Sequence, residues 1–390
     1  MSKWMTRIAI RLGLVFAGFV VIFTVLSATG SRSLQREVAV WRSADLIQDE
    51  QAPAVHETGE AYARWTQAAA AMAAQQSTVR ELLEADDPAS AAEADERLRA
   101  VGPLLAVVHA AAGEAGPVTQ AGPGAPYRWS EQLRDRLHES RDFVRLLAAE
   151  ARWQAIRGDR AAAAGAIAAG LDLAERAGEH GVWVGQLVRL SLLERMLLAV
   201  EFVYAEEGLP PASLRDRLGR IDLRSELAET FAAEGVHTLR LVSDTDPSTS
   251  RVNWSTRGWW YHDTAYLLER YRTCIDLLGD EAVPLAELPL GADESHPFWA
   301  RTARVVLPGV HASLGARLAL QMRLAMAETA MQLREQAMAT GAYPASLAAV
   351  DVPTVEPGLA EPMVYERDEA GFVLRSSDEL AGDPVRWRWR

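Results

Sequence analysis

Apolar positions follow three different patterns along this 390-residue chain. Residues Leu12–Ala28 (LGLVFAGFVVIFTVLSA) form a nearly continuous apolar run. From about residue 43 to Thr340, apolar side chains recur every three or four positions, the spacing that gathers them on one face of an α-helix. After Pro344 the recurrence drops to every second position, the period of a strand with one buried face.

The first pattern predicts a membrane anchor over residues 1–30. Seventeen helical residues span about 26 Å, and adding Ile8–Ile10 brings the stretch to about 31 Å, close to a hydrocarbon core of about 30 Å. Lys3, Arg7 and Arg11 precede the run, so the positive-inside rule places the N-terminus in the cytoplasm. The expectation is a single span in the inner membrane, with the body on the periplasmic side. The competing reading is a cleaved signal peptide, with Ala28-Thr29-Gly30 as an imperfect small-residue cleavage site.

The second pattern predicts helical hairpins. Residues 31–112 read as one hairpin: Ser43–Ala85, with Trp65, Met72, Val79 and Leu83 at helical spacing and Pro53 interrupting it early, then Asp87-Pro88 and Ala89–Ala112. Residues 113–128 read as a linker, because Gly113–Pro126 is too rich in Gly and Pro to bury a core. Residues 129–340 read as a helical array: Trp129–Gly158, Arg160–Ala177 and Val182–Glu207, then short helices after Pro210-Pro211. The polar stretch Asp244–Arg257 leads to Gly258–Gly279, the connection Asp280–Pro297 follows, and Phe298–Thr340 is expected to break near Pro308-Gly309. Small residues crowd Ala161–Gly170, and this unit resembles a tetratricopeptide-type hairpin without a repeat series behind it. Residues 341–390 read as a small β-containing module: a hairpin of Val364–Arg367 and Phe372–Arg375, and Val385–Arg390 with one aromatic and one cationic face. The fold class is therefore mainly α, an irregular array of antiparallel helical hairpins with a small C-terminal sheet.

Charge and composition narrow the function classes. The formal charge is −13, and setting aside the three N-terminal cations leaves about −16 on the body, which argues against nucleic acid as a partner. Cys274 is the sole cysteine, so no internal disulfide forms and no lipoprotein cysteine borders the apolar run. Lys3 is the sole lysine, which removes Schiff-base, Walker A, kinase-type and Ser-x-x-Lys chemistry from the body.

Candidate chemistry is sparse. The eight histidines are scattered, and no pair brackets a Glu at the spacing a helical zinc site requires, so neither metal nor cofactor is expected. His311-Ala312-Ser313-Leu314-Gly315 half-matches a nucleophile elbow, but helical flanks replace the strand that motif needs. The densest candidate binding cluster is Trp254, Trp259, Trp260, Tyr261, His262 and Asp263, able to line a glycan cleft or anchor a partner. Glu229 and Glu234 fit solvated helix faces, and Arg386, Arg388 and Arg390 fit an aggregation-resistant strand edge.

Several short motifs carry a resemblance. Gly341-Ala342-Tyr343-Pro344-Ala345-Ser346-Leu347, Pro362-Met363-Val364-Tyr365 and Gly371-Phe372-Val373-Leu374-Arg375-Ser376 follow a long Ala/Arg-rich helix. With Gly158-Asp159 and Gln186-Leu187-Val188-Arg189, they resemble a family of uncharacterised membrane-anchored envelope proteins of planctomycetes and other GC-rich bacteria. The tail also resembles the globular end of the type II secretion major pseudopilin. A pseudopilin has a Glu at the fifth mature position, where this chain has Phe23 after Gly18-Phe19. The resemblance implies an anchored helical protein and carries over no catalytic residue.

These readings converge on a membrane-anchored interaction or scaffolding protein of the cell envelope with a protein partner. The alternative is a periplasmic hydrolase of wall or glycan material acting at the aromatic cluster. A weaker one is an accessory of secretion or pilus-like machinery.

Overall fold

The computed structural model describes residues 24–44, 46, 59–113, 131–178, 183–206, 208–243, 254–280, 288, 300–349, 363–367, 371–376 and 385–389. The expected linker beyond Gly113, the stretch 244–253 and nearly all of the connection 281–297 lie outside these residues. So do the tail segment 350–362 and the hairpin turn 368–370. Helix accounts for most of what is described, with a three-stranded antiparallel sheet near the C-terminus.

Eleven α-helices are numbered here in chain order: α1 (24–43), α2 (Gly59–Ala74), α3 (Gln76–Glu84), α4 (Ala91–Ala112), α5 (Glu131–Ile156), α6 (Arg160–Gly178), α7 (Trp183–Tyr204), α8 (Ala212–Leu218), α9 (Leu223–Ser243), α10 (Trp254–Leu278) and α11 (Arg301–Thr340). The strands are β1 (Val364–Arg367), β2 (Phe372–Arg375) and β3 (Arg386–Trp389). The chain divides into two compact units. One holds α1, α9 from Leu227, α10 and α11 as far as Ala312; the other holds α2–α8, the start of α9 as far as Glu226, the rest of α11 and the sheet.

In the first unit, glycines admit close helix crossings. A Cβ on Gly30 would lie 2.5 Å from the Gly258 carbonyl oxygen, and one on Gly258 would lie 2.5 Å from the Ser27 nitrogen. Gly235 likewise leaves the notch that seats Trp41: a Cβ there would stand 2.0 Å from the indole Cη2. Trp41 is fully buried, and its Nε1 donates to the Leu268 carbonyl at 3.3 Å.

This packing bears on the expected membrane span. Among the described residues no helix is long and apolar enough to cross a membrane. Leu12–Phe23 lie outside them, and the described end of the apolar run continues into α1, which carries Arg32, Arg36 and Arg42. Leu26, Ser27 and Gly30 pack on α10. The small and apolar character at that end serves a helix–helix crossing within the protein. The single-pass inner-membrane anchor is thus corrected, and the periplasmic placement of the body that depended on it goes with it.

In the second unit, α5, α6 and α7 pack mutually, and α2 and α4 join them. Helix ends follow local chemistry. Ser90 caps α4, its Oγ accepting from the Glu93 amide at 3.3 Å while the Glu93 carboxylate accepts from the Ala89 amide at 2.9 Å. That cap delays the helix start to Ala91, beyond the Ala89 expected from Pro88. Gly158, at φ +87°, and Asp159, whose Oδ1 accepts from the Ala162 amide at 3.0 Å, make the tight α5–α6 turn. The expected break at Pro308-Gly309 does not occur, and α11 runs unbroken for 40 residues. Burial of Leu307, Val310 and Leu314 supports that stretch where proline withdraws an amide.

The sheet is a meander, β1-β2-β3, with Val364 opposite Arg375 and Phe372 opposite Trp389. Phe372, Leu374, Trp387 and Trp389 are buried, while Arg386 and Arg388 face outward. Glu201 of α7 accepts from the Arg388 amide at 2.8 Å, and Arg334 of α11 lies 5.9 Å from the Trp389 ring. Tyr343 meets Phe372 edge-on at 5.0 Å, and Tyr365 donates to the Pro344 carbonyl at 2.9 Å. The Tyr-Pro motif therefore closes the sheet against the end of α11.

Candidate functional site

The aromatic cluster singled out in the sequence lies along the first turns of α10, where successive residues point about 100° apart. The side chain of Trp254 falls outside the described set. Trp260 is 39% exposed, whereas Trp259 and Tyr261 are half-buried. His262 Nε2 lies 3.0 Å from the Thr29 hydroxyl, and burial pushes the imidazole pKa down. Asp263 is buried and caps α11 from outside that helix: its carboxylate accepts from the Thr302 amide at 2.7 Å and the Ala303 amide at 3.3 Å. The histidine and the aspartate are thus engaged by different helices. His311 and the Ser313 position lie within α11, with no strand before them.

A second, charged constellation lies in the other unit and was not singled out from the sequence. A cleft of about 470 Å3 is lined by Asp172 and Glu175 of α6, Arg189 of α7, Arg217 of α8, Arg220 and Ile221 of the following turn, and Glu226 of α9. Arg217 is held from three sides. Its Nε donates to Glu175 at 3.2 Å, its Nη1 to the Ala168 carbonyl at 3.0 Å, and its Nη2 stands 2.7 Å from Asp172. Arg189 makes a two-pronged pair with Glu226, one arm at 2.6 Å.

Arg189 is held at the cleft by its neighbours at the α6–α7 junction. The stem of Arg189 crosses Gly178 so closely that a Cβ there would lie 2.3 Å from its Cδ. Gln186 donates to the Gly178 carbonyl at 3.0 Å and so ties the end of α6 to the start of α7. Beside this pair lies Arg317 of α11, 1% exposed, donating to the Leu223 carbonyl. Burial is the first cause that pushes its guanidinium pKa down, to about 10. The Arg189 charge adds to the depression and Glu226 opposes it.

No family model, curated protein or solved structure matches this chain. The sequence resemblance therefore rests on its motifs, and the residues within them acquire physical roles here. Arg189 lines the cleft, Gln186 ties α6 to α7 beside it, Gly158 and Asp159 make a helix turn, and Ser376 closes the sheet by accepting from the Val385 amide at 3.1 Å.

Among the described residues no group of three or more His, Cys, Asp or Glu is placed to hold a metal ion. Cys274 is buried and, as the sole cysteine, forms no internal disulfide. His109 and Glu150 meet at 2.7 Å across α4 and α5. The hydrogen bond to Glu150 raises the imidazole pKa against an opposing burial effect. That pair joins two helices and faces no cleft residue.

Proposed function

We propose that this chain is a non-catalytic helical interaction module that holds an acidic, partly apolar segment of a protein partner on the face shared by α5 and α7. The observation that carries this reading is a stripe on α7. Most of that helix is buried, yet Leu198 is 46% and Phe202 is 39% exposed, and both lie on one face with Arg195. Arg195 makes no hydrogen bond or ion pair among the described residues. Its pKa is lowered first by burial and then by the neighbouring guanidiniums of Arg145 and Arg152 on α5, with Glu194 opposing; Arg145 and Arg152 themselves pair with Asp142 and Asp87. Crowded cations beside exposed apolar side chains complement an acidic–apolar segment, in a body whose net charge otherwise repels one.

Within this reading α5 and α6 act as a tetratricopeptide-like hairpin whose small residues set the distance to α7. The close approach of Gly170 to Met196 supports it, since a Cβ at that glycine would lie 2.1 Å from the thioether sulfur.

The test is a quantitative pull-down from native extract with the wild type, L198E/F202E, and M338E as a control at another exposed apolar side chain, 67% accessible. A partner retained by the wild type and M338E but lost from L198E/F202E supports the module. The same recovered proteins with all three refute it.

A further inference from the structure

We propose that the cleft between α6, α7, α8 and the start of α9 is an anion-binding site for a small molecule carrying a phosphate or carboxylate group. This inference is independent of the α5–α7 docking face. It starts from a charge count over neighbouring side chains. Arg189, Arg217 and Arg220 line the cleft and Arg317 stands next to the Arg189–Glu226 pair, against three carboxylates, Asp172, Glu175 and Glu226. The lining itself is balanced, three guanidiniums against three carboxylates, and Arg317, which stands behind it, supplies one further positive charge.

The excess is carried by particular groups. Arg189 is matched by Glu226, and Arg217 by Asp172 and Glu175. Two guanidiniums have no carboxylate within ion-pair distance among the described residues. Arg317 is almost wholly buried and bonded only to a backbone carbonyl, and Arg220 is exposed at the lip with its side chain unbonded. A buried cation without a counter-ion is costly, and its field is weakly screened. An anion in the cleft would receive the free donors of Arg220, in a field to which Arg317, beside the Arg189–Glu226 pair, adds its charge. A cation entering the same space would add to the excess.

The walls are already set for such a ligand. Arg217 is fixed by its three sets of contacts, and Arg189 is fixed by Glu226 and by the absence of a side chain at Gly178. Donors held in place before binding lose little freedom when the ligand arrives. The cleft volume suits a small molecule.

The experiment is isothermal titration of the full chain at low ionic strength with inorganic phosphate and, separately, with succinate, each against chloride at matched ionic strength. Two variants give opposite signs. R220Q removes the unbonded lip donor and is expected to weaken binding about tenfold or more, the loss of one charge-assisted hydrogen bond. E175Q releases Arg217 from one carboxylate and is expected to tighten binding severalfold. Both side chains are at the surface, so unfolding midpoints close to wild type are expected and serve as the folding control.

Binding of phosphate alone assigns a phosphate ligand, binding of succinate alone a carboxylate, and binding of both a general oxyanion site; each supports the proposal when the two variants move in opposite directions. Heat no greater than with chloride for both probes overturns it. So does R220Q binding as the wild type does, or E175Q binding more weakly.

Discussion

Removing the Glu226 carboxylate is expected to open the α7–α9 contact far more than loss of an ordinary ion pair. Glu226 is the counter-charge of Arg189, whose side chain is 7% exposed, and it is the nearest compensation for Arg317, which is 1% exposed. Two unit charges 4 Å apart at an effective dielectric near 20 interact by about 4 kcal/mol. Breaking one partner of a buried pair costs about 3–5 kcal/mol, because the other charge stays buried and unmatched. E226Q keeps the shape of the side chain and isolates that charge effect. In R189M/E226M the stranded guanidinium of Arg189 is absent, so the double variant is expected to recover at least about 2 kcal/mol over the sum of the single variants.

Hydrogen exchange read by mass spectrometry suits this prediction, since a chain of two units does not unfold in one step. Peptides covering α7 and the first turns of α9 should exchange roughly 10²–10⁴-fold faster in E226Q, each 1.36 kcal/mol being a factor of ten. Protection within about 1 kcal/mol of wild type in E226Q, or simple additivity in the double variant, would show that the pair is solvated and that the charge argument is wrong.

Other perturbations test the packing and capping described above. Asp263→Ala should cost about 1–2 kcal/mol, seen as faster exchange at the first turn of α11, with Asp263→Asn retaining most of the cap. Gly235→Ala drives a methyl into the Trp41 ring and should destabilise the first unit by about 1–3 kcal/mol in thermal unfolding; pairing it with Trp41→Leu should relieve the clash. His109 has a raised pKa in the folded state, so its bond to Glu150 stabilises fully below the ordinary imidazole value of about 6.5. That contribution is lost as pH rises through the higher folded value. Unfolding midpoints of wild type and E150Q should therefore converge on the alkaline side and separate on the acidic side; a constant gap would refute the linkage.

Local grammar made much of the fold legible. Gly158-Asp159 marks a helix turn in the sequence and makes one in the structure, and the alternation of Arg386, Trp387, Arg388 and Trp389 gives a strand with two unlike faces. The α2–α3 junction carried no such mark. Gln75 breaks the helix with its amide shared between the Ala71 and Met72 carbonyls, in a stretch of good helix formers. Pro308 misled in the opposite sense, because flanking buried side chains hold α11 together there.

The charged cleft was hidden for a different reason. Its residues come from five neighbouring segments, and each of them reads locally as a solvated charge on a helix or turn. Arg317 shows the difficulty best. Nothing in Leu314-Gly315-Ala316-Arg317-Leu318 distinguishes a surface arginine from one enclosed by α9 and α7. Gln186 and Arg189 were visible as a motif, but only the approach of Gly178 explains why those side chains are held there. The apolar run at the N-terminus read as lipid-facing because composition alone does not separate a membrane surface from the flank of another helix, and the end of that run lies against α10.

The ion pairs that join these helices have a practical consequence in the laboratory. Every strong cation in them is a guanidinium, as at Arg189, Arg217, Arg272 and Arg323. Amine-directed reagents will therefore find Lys3 and the chain terminus and pass over these contacts, so lysine-reactive crosslinkers and acetylation report nothing about the packing. Guanidiniums also keep their charge well into alkaline solution, where ammonium groups lose theirs. Raising the pH through the His109 transition thus silences the charged His109–Glu150 pair while the arginine pairs persist, and it allows the two kinds of helix contact to be dissected without mutating either.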